Sequence, residues 1–275
     1  MDFFQLFWVV FLLASFLPMW RQQRIHRLRL SSIHKIEELR GTRVITLIHR
    51  QEALSFLGLP FRRFIDIEDS EAILRAIRYT PSQMPIDIIL HTPCGLVLAA
   101  EQIARAIKKH PGKVTAFVPH YAMSGGTLIA LAADEIYLDD NAVLGPVDPQ
   151  LGNYPAASIL KAVEQKPIKD IEDQTLILAD MARKALAQVE AVVYQTISDK
   201  MPIDAAREVS KALTQGRWTH DYPLTCDQLK QLGFSIQCGL PRQIYTLMEL
   251  YPQPAQRRPS VQYVPLPYDN EAGDS

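Results

Sequence analysis

The sequence predicts an α/β fold built on a mostly parallel sheet, and three observations carry that prediction. Strands are expected at 44–48, 86–90, 114–118 and 135–138; 114–118 reads as a buried strand, and 86–90, β-branched and apolar at nearly every position, suits a strand covered on both faces. Segments of helical period separate them, so strand and helix alternate at short intervals from 44 to 138, as right-handed crossovers require. A chain of 275 residues, 48% of them hydrophobic, fills one sizeable core with appendages.

The elements follow in order. Residues 3–20 are almost uninterruptedly apolar, with Trp8 and Trp20 along the run, and are long enough to cross a hydrocarbon core of roughly 30 Å. Asp2 precedes them where a signal peptide carries basic residues, and Leu17-Pro18-Met19-Trp20 is no small-residue cleavage site. Residues 1–20 are therefore expected to be an uncleaved single-pass anchor in the cell membrane; a cleaved signal peptide is the alternative. Arg21, Arg24, Arg27 and Arg29 follow directly, which places the soluble domain in the cytoplasm. Residues 21–40 alternate basic and apolar positions and read as a juxtamembrane helix, lying on anionic lipid or solvated as a connector.

The main domain is expected over 41–251. After strand 44–48 comes a loop around 57–63 and a helix over 70–79, capped by Asp69 or Ser70, with Ile73, Leu74 and Ile77 on one face. Strand 86–90 ends in His91-Thr92-Pro93-Cys94-Gly95, a helix occupies 97–109, and strand 114–118 is bounded by Gly112 and Pro119. Strand 135–138 leads into the turn-rich passage 141–149. Helices are expected at 156–165, 172–200, 204–213 and 224–232, the long one packing across the sheet or against another subunit. The proline-rich, acidic stretch 252–275 reads as a disordered tail.

Composition narrows the function. A net charge of −1 provides no basic excess for neutralising phosphates, so no nucleic-acid partner is expected. Cys94, Cys226 and Cys238 lack metal-type spacing and read as ordinary thiols in a reducing compartment, and neither a metal nor a cofactor is expected.

The chemistry concentrates at two strand ends. Ser124 stands where strand 114–118 gives way to a small-residue helix beginning near Gly125. Gly125 and Gly126 clear side chains from one side of its hydroxyl, and the first helical turn offers unpaired N–H groups to a developing negative charge. The alternative is that Ser124 only caps the helix. In open α/β sheets reactive groups collect at the carboxyl ends of strands. If these two strands are neighbours, the N–H groups of Gly95 and Gly125 converge as an oxyanion hole. Gly95 also reads as a turn glycine needing positive φ, a role compatible with the first.

Thr92-Pro93-Cys94-Gly95 and Ala122-Met123-Ser124-Gly125-Gly126, followed by Ala132-Ala133-Asp134-Glu135-Ile136-Tyr137, Leu144-Gly145-Pro146-Val147 and the run 216–234, resemble the Clp-protease/crotonase superfamily. The closer likeness, over roughly 43–250, is to signal peptide peptidase A and the membrane-anchored serine dehydrogenase proteinase family. The resemblance implies a parallel-sheet spiral core with a helical C-terminal part, homo-oligomeric rings or stacks, and serine-peptidase chemistry with Ser124 as nucleophile. Where the Clp type carries its histidine, this chain has Asp148-Pro149-Gln150. The signal-peptide-peptidase type uses a lysine, and Lys166-Pro167-Ile168-Lys169-Asp170 is similar to that passage, making Lys169 the expected base, with Lys161 and Lys166 as competitors. A lysine serves only if desolvation brings its pKa toward neutrality. His220, beside Asp221, is the other candidate base; Asp148 is a possible auxiliary, and His120 lines the corner.

The resulting expectation is a membrane-anchored serine peptidase with a Ser124/Lys169 dyad, cleaving peptides or membrane-protein fragments at the lipid bilayer. The alternative is a catalytically silent membrane scaffold of the same fold that binds protein partners. It is favoured by Cys94 where the family motif has glycine and by the incomplete lysine passage. An acyl-CoA enzyme of the crotonase kind is disfavoured by the anchor and the serine.

Overall fold

The computed structural model describes residues 3–49 and 64–251, giving the backbone course alone for 3–19 and 21. The expectations for the 57–63 loop and the 252–275 tail fall outside the described residues. The chain opens with one continuous helix, α1 (Phe3–Arg40), so the expected anchor and juxtamembrane segments share a helix. Among the described residues no helix is long and apolar enough to cross a membrane. The anchor expectation falls on residues 1–20, of whose side chains only Trp20 is described.

Strand β1 (Arg43–Ile48), helix α2 (Ile67–Tyr79), strand β2 (Ile86–His91), helix α3 (Val97–Lys109) and strand β3 (Val114–Val118) follow in alternation. A two-residue strand β4 (Tyr121–Ala122), helix α4 (Gly125–Ala132) and strand β5 (Glu135–Leu138) complete the first half. The central sheet has the order β1-β2-β3-β5-β9, with β9 (Ile236–Cys238) at one edge, and every pairing in it is parallel. A mixed α/β fold on a parallel sheet is thus what the buried, β-branched runs make. β2 and β3 are buried at every position, as strands covered on both faces must be.

The two faces are covered differently. Ile36 of α1 packs with Val44, Ile89 and Phe117 and with Ile244, Leu247 and Met248 of the last helix, α9 (Arg242–Glu249), on one side. There Asp87, which points to this face from β2, is buried and paired with the Arg40 guanidinium at 2.5 Å and the Thr42 hydroxyl at 2.8 Å. The larger core lies opposite, where α3 presents Ala99, Ala100, Ile103, Ala104 and Ile107 at helical spacing. α2 starts three residues before its expected start. Asp66 is its cap, and Asp69, one of the two expected caps, is the reciprocal member of a capping box instead.

Beyond β5 come the short strands β6 (Val143–Leu144), which pairs with β4, and β7 (Gln150–Leu151), which pairs with β8 (Tyr154–Pro155). Helices α5 (Ala156–Glu164) and α6 (Asp173–Ile197) then form an antiparallel arm around Ala156, Ile159, Ala179 and Ala182. The second half of α6 joins the main core through Val189, Val193 and Ile197. Helices α7 (Ile203–Thr214) and α8 (Cys226–Gln231) lead to β9 and α9, which end the domain.

Cys226 and Cys238 form a disulfide that joins α8 to β9, with their Cα atoms 6.3 Å apart. This corrects the expectation of three ordinary thiols. The pairing depends on edge strand β9 lying beside α8, which the cysteine spacing alone does not reveal.

Candidate active site

Thr92 joins the two strand ends. Its N–H donates to the Tyr121 carbonyl at 3.2 Å, and its carbonyl accepts from Met123 N–H at 3.0 Å. These bonds lay the end of β2 alongside the segment that enters the Ser124 corner. Gly126 has to be glycine here, because a Cβ would stand 2.5 Å from the buried Thr92 methyl.

Ser124 occupies the N-cap position of α4, yet its side chain makes no capping hydrogen bond. Among the described residues it is the one non-glycine with positive φ, at 51°, with ψ at −111°. That conformation belongs to the glycine position of a type II′ turn and costs on the order of 1–3 kcal/mol for a residue with a side chain. The capping explanation therefore fails to account for the hydroxyl. The turn holds it out in a sharp strand-to-helix corner instead.

Gly95 has no positive φ, so the turn-glycine explanation does not apply. Close approach is the reason instead, since a Cβ there would meet Ile65 Cβ at 2.7 Å. The same test at Gly125 puts a Cβ 3.0 Å from Ala100 Cβ and 3.5 Å from Gly95 N, so the two glycines face one another. Gly95, Ser124 and Gly125 line a cavity with Val147, Asp148 and Val189, walled further by α3 and α6. Its volume is about 20 Å³, room for roughly one water.

Asp148, which stands in the wall of this cavity, is buried. Its Oδ1 accepts from His220 Nδ1 at 2.8 Å and its Oδ2 from the Gln150 amide at 2.6 Å. The hydrogen bond to Asp148 pushes His220 above its ordinary pKa, against the opposing effect of burial. It also directs Nδ1 toward the carboxylate, which leaves Nε2 as the free face of the ring. The passage is tied in place from three sides: Gly145 N–H donates to the Thr127 hydroxyl, Val147 N–H to the Leu213 carbonyl, and Leu144 bridges Leu224. No motif flagged the pairing of residues 148 and 220.

Lys169 lies in a 3-10 turn (Ile168–Asp170) between α5 and α6, where it is exposed, and it is not among the residues lining the cavity. Lys161 and Lys166 are exposed as well, and so is His120, stacked on His91 with ring centroids 5.7 Å apart. A desolvated lysine does exist at Lys200, which burial pushes down to about 8. Its ammonium donates to the carbonyls of Leu131, at 2.5 Å, and Ala133, at the far end of α4. With a rise of about 1.5 Å per residue, that end is roughly 12 Å from Ser124. Lys200 thus satisfies carbonyls that the helix leaves open, and anchors α4 from behind.

Comparison with known proteins decides the family. The family model of ClpP-like SDH-type serine proteinases matches residues 1–275. The chain belongs to that family. Two uncharacterized proteins of Methanocaldococcus jannaschii are similar along nearly their whole lengths. One is 57% identical over 274 residues, covering 100% of this chain and 93% of that protein; the other is 53% identical over 268 residues, covering 98% and 94%. The solved structure of ClpP1 from Listeria monocytogenes is also similar, with a TM-score of 0.47 at 15% identity, over 75% of this chain and 96% of that one. Within its family the chain is a serine peptidase by type.

Proposed function

We propose that this protein is a membrane-anchored serine peptidase whose nucleophile is Ser124. The observation that carries the reading is the strained Ser124 backbone, which presents a hydroxyl unused for capping at a cavity that Gly95 and Gly125 also line. Ser124 Oγ attacks a peptide carbonyl, and the amides of Gly95 and Gly125 receive the oxygen that becomes negative. The hydroxyl proton passes to a base and from there to the departing amine; water then repeats the sequence to release the acyl group. His220, which like Lys169 does not itself line the cavity but is bonded to Asp148 in its wall, is the base this geometry supports best. Lys169, which the family resemblance singles out, is the second reading, and it requires the α5–α6 arm or a neighbouring subunit to bring the amine to Ser124.

Residues 3–20 serve as a single-pass anchor, and Arg21, Arg24, Arg27 and Arg29 support a cytoplasmic domain. The disulfide favours the opposite side, because paired cysteines persist mainly in oxidising compartments. Anchoring concentrates the enzyme on membrane-protein fragments at the bilayer, and self-association through the α5–α6 arm completes the assembly.

Hydrolysis of unfolded casein by the full chain tests the reading. Loss of cleavage in Ser124→Ala and His220→Ala with Lys169→Ala active supports the histidine base, and the reverse pattern assigns the Ser124/Lys169 dyad. Wild-type protein that neither cleaves casein nor is captured by a fluorophosphonate is instead a silent scaffold. Phosphatase fused after Ser275 reports the side of the membrane, and activity there overturns the cytoplasmic placement.

A further inference from the structure

A chain of polar contacts, unused by the mechanism above, ends at the loop that carries Gly95. His49, the residue after β1, is buried, and its N–H donates to the His91 carbonyl at 2.7 Å. Its ring spans two partners: Nε2 lies 3.1 Å from Asp69 Oδ2, and Nδ1 lies 3.1 Å from Thr92 Oγ1. Thr92 Oγ1 in turn donates to the Cys94 carbonyl at 3.1 Å. Donor counting ties the two Thr92 contacts together. A hydroxyl has one proton: in the arrangement where Thr92 gives it to the Cys94 carbonyl, which only accepts, Thr92 accepts from His49 and Nδ1 carries hydrogen. Nε2 faces the Asp69 carboxylate on the other side of the ring. Asp69 is itself fixed, because Oδ2 also accepts from Asp66 N–H at 3.0 Å in the capping box of α2.

The Cys94 oxygen at the end of this chain belongs to the same peptide as the Gly95 N–H. It accepts a second bond from Ile65 N–H at 3.1 Å, while Leu96 N–H donates to the Ile65 carbonyl at 2.9 Å. Ile65 thus bonds the residues on either side of Gly95. In a parallel bridge that leaves Gly95's own amide on the side away from Ile65; a Cβ on Gly125 would stand 3.5 Å from that nitrogen, and Ser124 lines the same cavity. Hydrogen bonds onto a carbonyl polarise its peptide and make the N–H of that peptide a stronger donor.

Resting on the peptidase reading, we propose that His49, held by Asp69, is a positioning residue for the oxyanion site. Through Thr92 it orients and polarises the Cys94–Gly95 peptide, so that Gly95 N–H meets the oxygen turned negative by attack of Ser124. The relay also gives Thr92 a reason to be threonine. Its methyl packs over Gly126 and its hydroxyl passes on the polarisation.

The test uses the full chain and three variants. Thr92→Val keeps the methyl and removes the hydroxyl, His49→Phe keeps a ring, and His49→Asn keeps a donor near Nδ1. A biotinylated fluorophosphonate gives the maximal labelling rate and the half-saturating concentration separately, and 15N NMR gives the Gly95 amide proton shift. The relay predicts that the maximal rate falls about tenfold in Thr92→Val and His49→Phe, less than the loss of a whole oxyanion donor. It also predicts an unchanged half-saturating concentration, partial recovery in His49→Asn, and an upfield move of the Gly95 amide proton. Wild-type labelling rates with an unmoved Gly95 resonance overturn it, as does a lower melting temperature with an unmoved resonance. If the wild type is never labelled but Gly95 still moves in Thr92→Val, the relay stands and the peptidase reading falls.

Discussion

Gly125→Ala separates catalysis from stability at the corner. The added Cβ would stand 3.0 Å from Ala100 Cβ, a contact that asks its neighbour to give by a few tenths of an ångström, and it meets Gly95 Cα and N at 3.4 and 3.5 Å. Overpacking a buried site costs about 1–3 kcal/mol, and one moderately tight contact belongs at the low end. Alanine in place of glycine within a helix returns up to about 1 kcal/mol. Net stability should therefore stay within about 1 kcal/mol of wild type. Activity should not, because the methyl occupies the space beside the Gly95 amide that the reacting oxygen needs. Losing one oxyanion donor lowers the rate by about 10²–10³-fold, equivalent to roughly 3–4 kcal/mol of barrier. Fluorophosphonate capture and urea unfolding of the same preparation measure both quantities. A Gly125→Ala protein that folds normally and is captured at the wild-type rate would refute the placement of the oxyanion between Gly95 and Gly125.

Other perturbations follow from the same geometry. Ser124→Gly relieves a positive φ at a cost of added freedom in the unfolded chain, so it should abolish capture while raising stability by about 1 kcal/mol, read from urea midpoints. His220 is raised above 6.5 by Asp148, so the stability of that pair is fully present below the unfolded value and is lost as pH climbs through the raised one. If His220 is the base, capture grows over that same climb as the imidazole becomes neutral, and Asp148→Asn moves the midpoint toward lower pH in a pH–rate profile. Reducing the Cys226–Cys238 disulfide, which closes a sequence separation of 12, should cost about 3 kcal/mol by loop entropy, seen as a lower urea midpoint in dithiothreitol.

Much of the central architecture is legible in the sequence because it depends on local pattern. β2 and β3 read as doubly covered strands because they are apolar or β-branched at nearly every position, and α3 from its alanine and isoleucine stripe. Ser124 is singled out by Gly125-Gly126 after a strand, although its backbone strain and the missing side-chain capping bond lie in dihedrals that composition does not encode. The contacts that were not legible are long-range. Asp148 and His220 meet across 72 positions because Leu144 bridges Leu224. The helix α9 and the three-residue strand β9 are short, and their places are set by the sheet edge and by Ile36, not by periodicity. Lys200 has no motif at all, and its role comes from the carbonyls that α4 leaves open at Leu131 and Ala133.

The central claim, that Ser124 is a nucleophile set against the Gly95 and Gly125 amides, is tested most directly by mapping the covalent adduct. Wild-type protein treated with a fluorophosphonate, digested and sequenced by tandem mass spectrometry should carry one phosphonyl group, on Ser124. A modification on any other residue, or an unmodified Ser124 in folded protein across the pH range in which His220 is neutral, would contradict it.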